Sequence, residues 1–258
     1  MELNNNSRLK LLNNDKDLIP AIQEFQDILD KYKNVPHLEI EIRFGFIEDY
    51  DDGSTTFDTN IGHDFHVDIN NILCSYNKWK ADKKTVTTDY YVNTEDGKVR
   101  LSIDNQGNRS AMMKVRLEDI DFTYESGPFD IRISISQEIP KDPSDISLDD
   151  IIISRSKNRS TKKFETDNLP GCIWSFELSE VTTVNNSLES KSFEFELELD
   201  DPIVSLKNCK NDKQWLAHST FLKIRQLINL VEEPEDFETQ MVLVSRKKKH
   251  VPIDEEPS

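Results

Sequence analysis

Two short stretches of the 258-residue chain carry a carboxylate at every second position. The first reads Leu38-Glu39-Ile40-Glu41-Ile42-Arg43-Phe44-Gly45, the second Phe193-Glu194-Phe195-Glu196-Leu197-Glu198-Leu199. Side chains alternate faces along a strand, so each stretch gathers its charges on one face and leaves hydrocarbon on the other. Same-face neighbours then stand roughly 6–7 Å apart. If the strands lie close, up to five carboxylates share one surface, where they repel once water is partly excluded. A hard divalent cation, Mg²⁺ or Mn²⁺, reverses that cost and suits a phosphate substrate. One Glu-x-Glu strand alone is ordinary solvated surface; two such strands are harder to read that way.

Other stretches carry positive charge in the same alternating manner. Arg100 stands between Val99 and Leu101, and Lys114 and Arg116 share a face of Met113–Leu117. Arg132, Ser134, Ser136 and Glu138 follow one another on one face, as do Arg155, Lys157 and Arg159. Guanidinium and ammonium groups are natural ligands of phosphate oxygens. Acids and bases segregated onto different strands predict a closed, wet β-barrel whose charges line the lumen and whose apolar faces pack outward against helices. The competing arrangement is a sandwich with these charges in bulk water.

The elements that must position these groups are readable in outline. Residues 15–33 carry Leu18, Ile22, Phe25, Ile28, Leu29 and Tyr32 at helical spacing, with Pro20 admissible in a first turn. From residue 37 the period becomes two. β-rich runs are expected at 37–47, 65–73, 84–93, 98–104, 110–117, 129–139, 150–156, 158–165, 173–184 and 191–200, many of them separated by turn signals such as Asp96-Gly97 and Gly127-Pro128. Helical spacing returns over 213–232 through Leu216, Leu222, Ile224, Leu227, Ile228 and Val231. The expected organisation is a flexible segment 1–14, one domain over 15–244, and a disordered charged tail 245–258 that includes the basic run Arg246–His250.

Composition narrows the function classes. With 32 basic and 49 acidic residues the net charge is −17, so the chain repels a nucleic-acid backbone at long range and any polyanion must meet a local basic pocket. Three dispersed cysteines (Cys74, Cys172, Cys209) make no disulfide framework. Residues Met1 to Asn14 are polar and carry no apolar core of a signal peptide, and no apolar run of about 20 residues occurs. A soluble, intracellular protein with no membrane partner is the expectation. His63 and His66 are spaced for a metal clip but lack the rest of a zinc site, so a loop near a turn is the reading there. Trp79, Trp174 and Trp215 are read as packing residues.

Taken together, these motifs resemble the triphosphate tunnel metalloenzymes, specifically the RNA triphosphatases of the fungal, protist and large-DNA-virus capping type. The likeness runs from about residue 37 to 200 and rests on Glu39-x-Glu41-x-Arg43-Phe44-Gly45, Arg132 to Glu138, Arg155-x-Lys157-x-Arg159 and Phe193-Glu194-x-Glu196-x-Glu198, in the family's order. It implies a mainly β fold (α+β), a closed eight-stranded antiparallel tunnel with a charged lumen and flanking helices. It also implies Mg²⁺ or Mn²⁺ on Glu39, Glu41 and Glu198, and phosphate contacts from Arg100, Lys114, Arg155, Lys157 and Arg159. Glu138 and Glu196 would orient water, with Lys114 and Arg132 in catalytic support, while Arg43, Arg116, Glu177 and Glu194 complete the tunnel. Where the family often has Arg-x-Asp-x-Thr, this chain has Ser175-Phe176-Glu177-Leu178-Ser179, so one cationic tunnel contact is missing from its usual strand.

The implied activity is hydrolysis of the γ-phosphate from the 5′-triphosphate end of nascent RNA, with side activity on nucleoside triphosphates. Two alternatives share the barrel: a hydrolase of thiamine triphosphate or tripolyphosphate, and a non-catalytic binding subunit. No Cys-x₅-Arg loop, no Gly-Lys-Ser/Thr phosphate loop and no Lys-x-Asp-Gly guanylyltransferase signature is present. The next capping step therefore falls to a guanylyltransferase on another chain or domain. The implied setting is the nucleus for a cellular protein, or a virion, host cytoplasm or host nucleus for a viral one. The resemblance also admits a homodimer, the state found in one branch of the family.

Overall fold

Long runs of alternating polarity make long strands, because a strand can bury one face while the other meets water. The computed structural model describes residues 10–11, 15–51, 54–123, 127–148, 151–165, 171–185, 187–208 and 213–232. In chain order its elements are β1 (Lys10–Leu11), α1 (Asp15–Tyr32), β2 (Leu38–Asp49), β3 (Thr55–Asp58), α2 (His63–Ser75), β4 (Ala81–Thr94) and β5 (Gly97–Asp104). Then follow β6 (Arg109–Thr123), β7 (Asp130–Lys141), β8 (Ile151–Glu165), β9 (Ile173–Asn185), β10 (Leu188–Asp200), α3 (Pro202–Asn208) and α4 (Lys213–Glu232).

Among the described residues, eight antiparallel strands close into a ring in the order β2, β7, β6, β5, β4, β8, β9, β10 and back to β2. β2 makes two of the ring's three long-range pairings, Glu41 pairing with Ser134 of β7 on one side and with Glu198 of β10 on the other, and β4 with β8 makes the third. β1 adds to β6 in parallel, and β3 folds back on β2.

The hydrophobic core lies outside this ring. Ile40, Ile42 and Phe44 of β2, Ile131, Ile133 and Ile135 of β7, and Trp174, Phe176, Phe195 and Leu197 of β9 and β10 meet the apolar faces of α1, α2 and α4. Phe221 of α4 sits edge-on to Phe25 of α1 and Phe122 of β6, with ring centroids 6.2 and 5.4 Å apart. Each such buried aromatic contributes about 1.5–3 kcal/mol through transfer from water. Over β4, β5 and β6 a smaller cluster of Val92, Val99, Leu101 and Ala111 is covered by Ile146, just after a short 3₁₀ turn at Pro143–Asp145.

Gly45 is fixed by a close approach. Arg43 faces the lumen, so Gly45, two residues on, faces it too. A Cβ there would stand 2.0 Å from the Asp58 carbonyl oxygen and 2.9 Å from the Phe57 ring. The absent side chain lets β3 lie against the inner end of β2.

Several expectations need correction. Residues 65–73 are helix, not strand: Ile69 and Leu73 are buried together at helical spacing, and so short an apolar run satisfies both periods. His63 and His66 consequently lie in the first turn of α2, not in a loop, and both rings pack on Phe193. The runs 150–156 and 158–165 are one strand, β8. Pro20 lies in the second turn of α1, not the first. β3 and α3 are short elements that no periodicity announced. The tail 245–258, Cys209 and the 1–14 segment apart from Lys10–Leu11 lie outside the described residues.

Candidate active site

The lumen has two chemically different ends. Because neighbouring strands are antiparallel and in known register, Glu39, Glu138, Glu177, Glu198 and Asp200 fall toward one end with Arg159 and Lys163, and Arg43, Lys98, Arg132 and Arg155 toward the other with Glu194, Asp119 and Asp121, so the first end is net acidic and the second slightly basic. Between them stand Glu41, Glu196, Asp89, Arg100, Lys114 and Lys157. Glu41, Glu194 and Glu196 are buried, as are Asp89, Lys157 and Glu177. The alternation of the sequence thus points its charges inward, opposite to the sandwich alternative.

Acids and bases interlock. Lys114 Nζ lies 2.6 Å from Glu39 and 3.0 Å from Glu41. Arg43 Nη2 donates to Glu41 at 2.7 Å, and its Nε lies 3.4 Å from Glu196. Across the lumen Arg159 meets Glu177 at 2.7 Å, Arg155 pairs with Glu194, and Arg100 donates to Glu138 at 3.0 Å. Lys157 stands 3.9 Å from Asp89, which accepts from Ser102 at 2.6 Å. Ser136 donates to Glu39 at 2.6 Å.

These neighbours perturb proton affinities in opposite directions. Burial raises Glu198, and the carboxylates of Glu177, Glu39, Glu41 and Glu196 add to it, pushing it up to about 9. Burial and then Glu41 push Glu196 up to about 7, against the pull of Arg43 and Lys157. Burial and then Glu39 raise Glu138, with Arg100 opposing. Glu41 goes the other way: burial works against its charged form, but Arg43 and Lys114 hold it well below the usual carboxylate range. The cations respond reciprocally. Burial disfavours charge on Arg159, Arg100 and Lys114, yet Glu177, Glu138 and Glu41 respectively keep each above its ordinary value.

Glu196 and Glu198, raised by burial and by neighbouring carboxylates, are short of positive charge, and such hard oxygen donors suit Mg²⁺ or Mn²⁺. Glu177 Oε2 supports this fit: it is buried with no aligned hydrogen bond, although Arg159 lies 2.7 Å away. Among the described residues, no three acids, histidines or cysteines converge on a single point as they stand. Lys114 and Arg43 bridge the acids instead. By donor type and charge the cluster fits a divalent cation, and its carboxylates would turn inward to bind one.

The residues singled out from sequence divide into three groups. Glu39, Glu41, Arg43, Arg100, Lys114, Glu138, Lys157, Arg159, Glu177, Glu196 and Glu198 lie in one electrostatic network. Arg155 and Glu194 border it at the basic end. Arg132 and Arg116 are set apart. Asp121 grips Arg132 through two hydrogen bonds of 2.6 and 2.7 Å, with the Phe57 ring 4.8 Å from the guanidinium. Arg116 is largely exposed and pairs with Asp119 across an irregularity in β6. Asp89, Tyr91, Asp121, Lys163 and Asp200 were not singled out, although the alternation Thr87-Asp89-Tyr91 carried the same signal. Ser175 stands opposite Lys163 in register, and Asp200 binds both, accepting from Ser175 at 2.5 Å. A cation from β8 therefore faces the position where the family arginine is missing.

Comparison with known proteins agrees with this geometry. A family model described as the mRNA capping enzyme, beta chain, matches residues 24–232. Polynucleotide 5′-triphosphatase CTL1 of Saccharomyces cerevisiae is 33% identical over 130 residues, covering 49% of this chain and 39% of that protein. The chain thus spans well under half the length of that relative. The S. pombe Pct1 RNA triphosphatase superposes with a TM-score of 0.67 at 20% identity, over 81% of this chain and 92% of that one. The Mimivirus capping enzyme triphosphatase gives 0.56 at 16% identity, over 84% and 99%. At such identities the two structures speak for the fold.

Proposed function

The chain belongs to the mRNA capping enzyme beta-chain family, and from that premise we propose that it hydrolyses the γ-phosphate from the 5′-triphosphate end of RNA, the first step of capping. The observation that carries this reading is the ring of Arg100, Lys114, Lys157 and Arg159 facing the Glu39, Glu41, Glu196 and Glu198 acids inside one closed lumen. Glu39, Glu41 and Glu198 would hold Mg²⁺ or Mn²⁺, which when bound supplies Lewis-acid polarisation of a γ-phosphate oxygen.

The chain's own residues do the rest. Phosphoryl transfer asks a protein mainly for positioning and charge stabilisation. Arg100, Lys157 and Arg159, with Lys114 and Arg155 beside them, neutralise the triphosphate oxygens. Their acidic partners, Glu138, Asp89 and Glu177, hold those heads in place before substrate arrives. Glu138, raised by burial and by Glu39, orients water for in-line attack and accepts its proton. Glu196 assists. Arg132, committed to Asp121, shapes the basic end and does not touch the transferred phosphate. Arg116 has no part in the reaction.

Free nucleoside triphosphates are accepted as side substrates, since every contact proposed here is to phosphate. The partner for the next step is a guanylyltransferase on another chain or domain. The relatives come from yeasts and Mimivirus, so the proposed setting is a nucleus or a virus-infected cell. Among the described residues no helix is long and apolar enough to cross a membrane. Release of labelled phosphate from γ-labelled triphosphate RNA, with and without Mn²⁺, is the direct test. A chain that releases none under either condition is not a triphosphatase.

A further inference from the structure

The two ends of the lumen differ in more than sign. At the acidic end a cavity opens between Glu39, Glu138, Glu198 and Asp201, with Asp200 next in sequence. A polyanionic chain leaving the phosphate ring by that route would run along carboxylates. At the other end Tyr91 faces the lumen two residues after Asp89, opposite Arg100 in register. Its hydroxyl is near enough to Arg155 to help raise that guanidinium, and Lys98 Nζ lies 4.8 Å from its ring centroid. Arg155 is paired with Glu194, but Lys98 is exposed and makes no ion pair among the described residues. Lys98 can swing to a phosphate and leave its ring face to another group. An aromatic ring flanked by cations is the arrangement that stacks a nucleobase without reading its identity.

We infer that the tunnel takes its substrate in one direction, terminal phosphate toward Glu39 and Glu198, with the first nucleoside stacked on Tyr91. This rests on the reading of the tunnel as a triphosphate site. It adds which mouth admits the RNA chain, and a residue that favours nucleoside-linked triphosphates over bare ones. Tyr91 lies one same-face step, roughly 6–7 Å, beyond Asp89, which places its ring next to the phosphate ring and outside it.

The test compares equilibrium binding of GTP and of inorganic tripolyphosphate to the full chain, by calorimetry, for wild type, Tyr91→Ala and Tyr91→Phe. Loss of one stacked base corresponds to a factor of order ten in affinity. The GTP-to-tripolyphosphate affinity ratio should therefore fall about tenfold in Tyr91→Ala and return in Tyr91→Phe, which keeps the ring and loses only the hydroxyl. A ratio that stays at the wild-type value overturns the inference, as does a Phe variant as impaired as the Ala variant. If the ratios behave as expected but neither substrate is hydrolysed, the nucleoside site stands and the triphosphatase reading falls.

Discussion

Glu198 should make the metal-free protein less stable as pH rises, and a divalent cation should undo the loss. Its carboxyl is pushed from the ordinary 4.5 up to about 9 by burial and by four acidic neighbours. Below pH 4.5 the group is protonated in both folded and unfolded chains. Between 4.5 and about 9 the folded protein keeps a proton that the unfolded chain has released, so stability falls as pH climbs through that window. Each tenfold change in proton affinity is ~1.4 kcal/mol, which sets an upper bound of ~6 kcal/mol. Glu198 is only half-buried, and screening in a wet lumen reduces the figure to roughly 3 kcal/mol. For a chain of this size that is a fall of about 6–12 °C in Tm. The assay is thermal unfolding of chelator-treated protein at pH 5 to 9, for wild type and Glu198→Gln, with and without Mg²⁺. Titrating groups outside the lumen contribute equally to both proteins, so the difference between the two curves reports Glu198 together with its coupling to the neighbouring acids. The variant should lose most of the pH-dependent fall, and Mg²⁺ at pH 8 should raise the wild type by several degrees and the variant by less. Parallel curves for the two proteins, or no response to Mg²⁺, would refute the reasoning.

Glu39→Ala and Glu41→Ala should each lower phosphate release from triphosphate RNA by at least roughly a hundredfold while leaving far-UV circular dichroism intact; near-normal turnover in either would sink the metal assignment. Arg159→Leu should lose activity similarly, and it should also leave Glu177 buried without its cation, at a cost of about 3 kcal/mol in denaturant unfolding. A Gly45→Ala methyl meets the Asp58 carbonyl, so β3 must shift. The expected cost is about 1–3 kcal/mol, and an unchanged denaturation midpoint would show that β3 does not pack there. Arg132→Lys should keep phosphate release within about threefold, since only one of the two bonds to Asp121 survives but no substrate contact is lost; a hundredfold loss would return Arg132 to the phosphate site.

The lumen chemistry was legible because strands signal their faces locally. Glu39-x-Glu41-x-Arg43 and Glu194-x-Glu196-x-Glu198 announce one charged face without reference to anything distant, and all of these residues do share the interior. Helices α1 and α4 were legible for the same reason, their apolar positions recurring at helical spacing over four or more turns. Where a segment was short the signal failed: residues 65–73 fit a strand or a helix equally, and burial of Ile69 and Leu73 against the barrel decided for helix. Arg116 shows another limit. Alternation set it beside Lys114, and it keeps register with Ser136, yet its side chain is largely exposed and pairs with Asp119 beyond the irregularity that follows it.

Local alternation could assign each charge to a face, but not that face to the inside of a barrel. That choice depends on β2 pairing with both β7 and β10, partners more than 80 residues away along the chain at the β7 closure alone, and on helices claiming the apolar faces. Nor could spacing tell which opposite charges meet. Glu41 sits two residues from Arg43, but its low proton affinity also needs Lys114, and the high affinity of Glu198 needs Glu177 and Glu39 from other strands. Such shifts arise from distances of a few ångströms in a partly dry lumen, and only the closed ring fixes those distances.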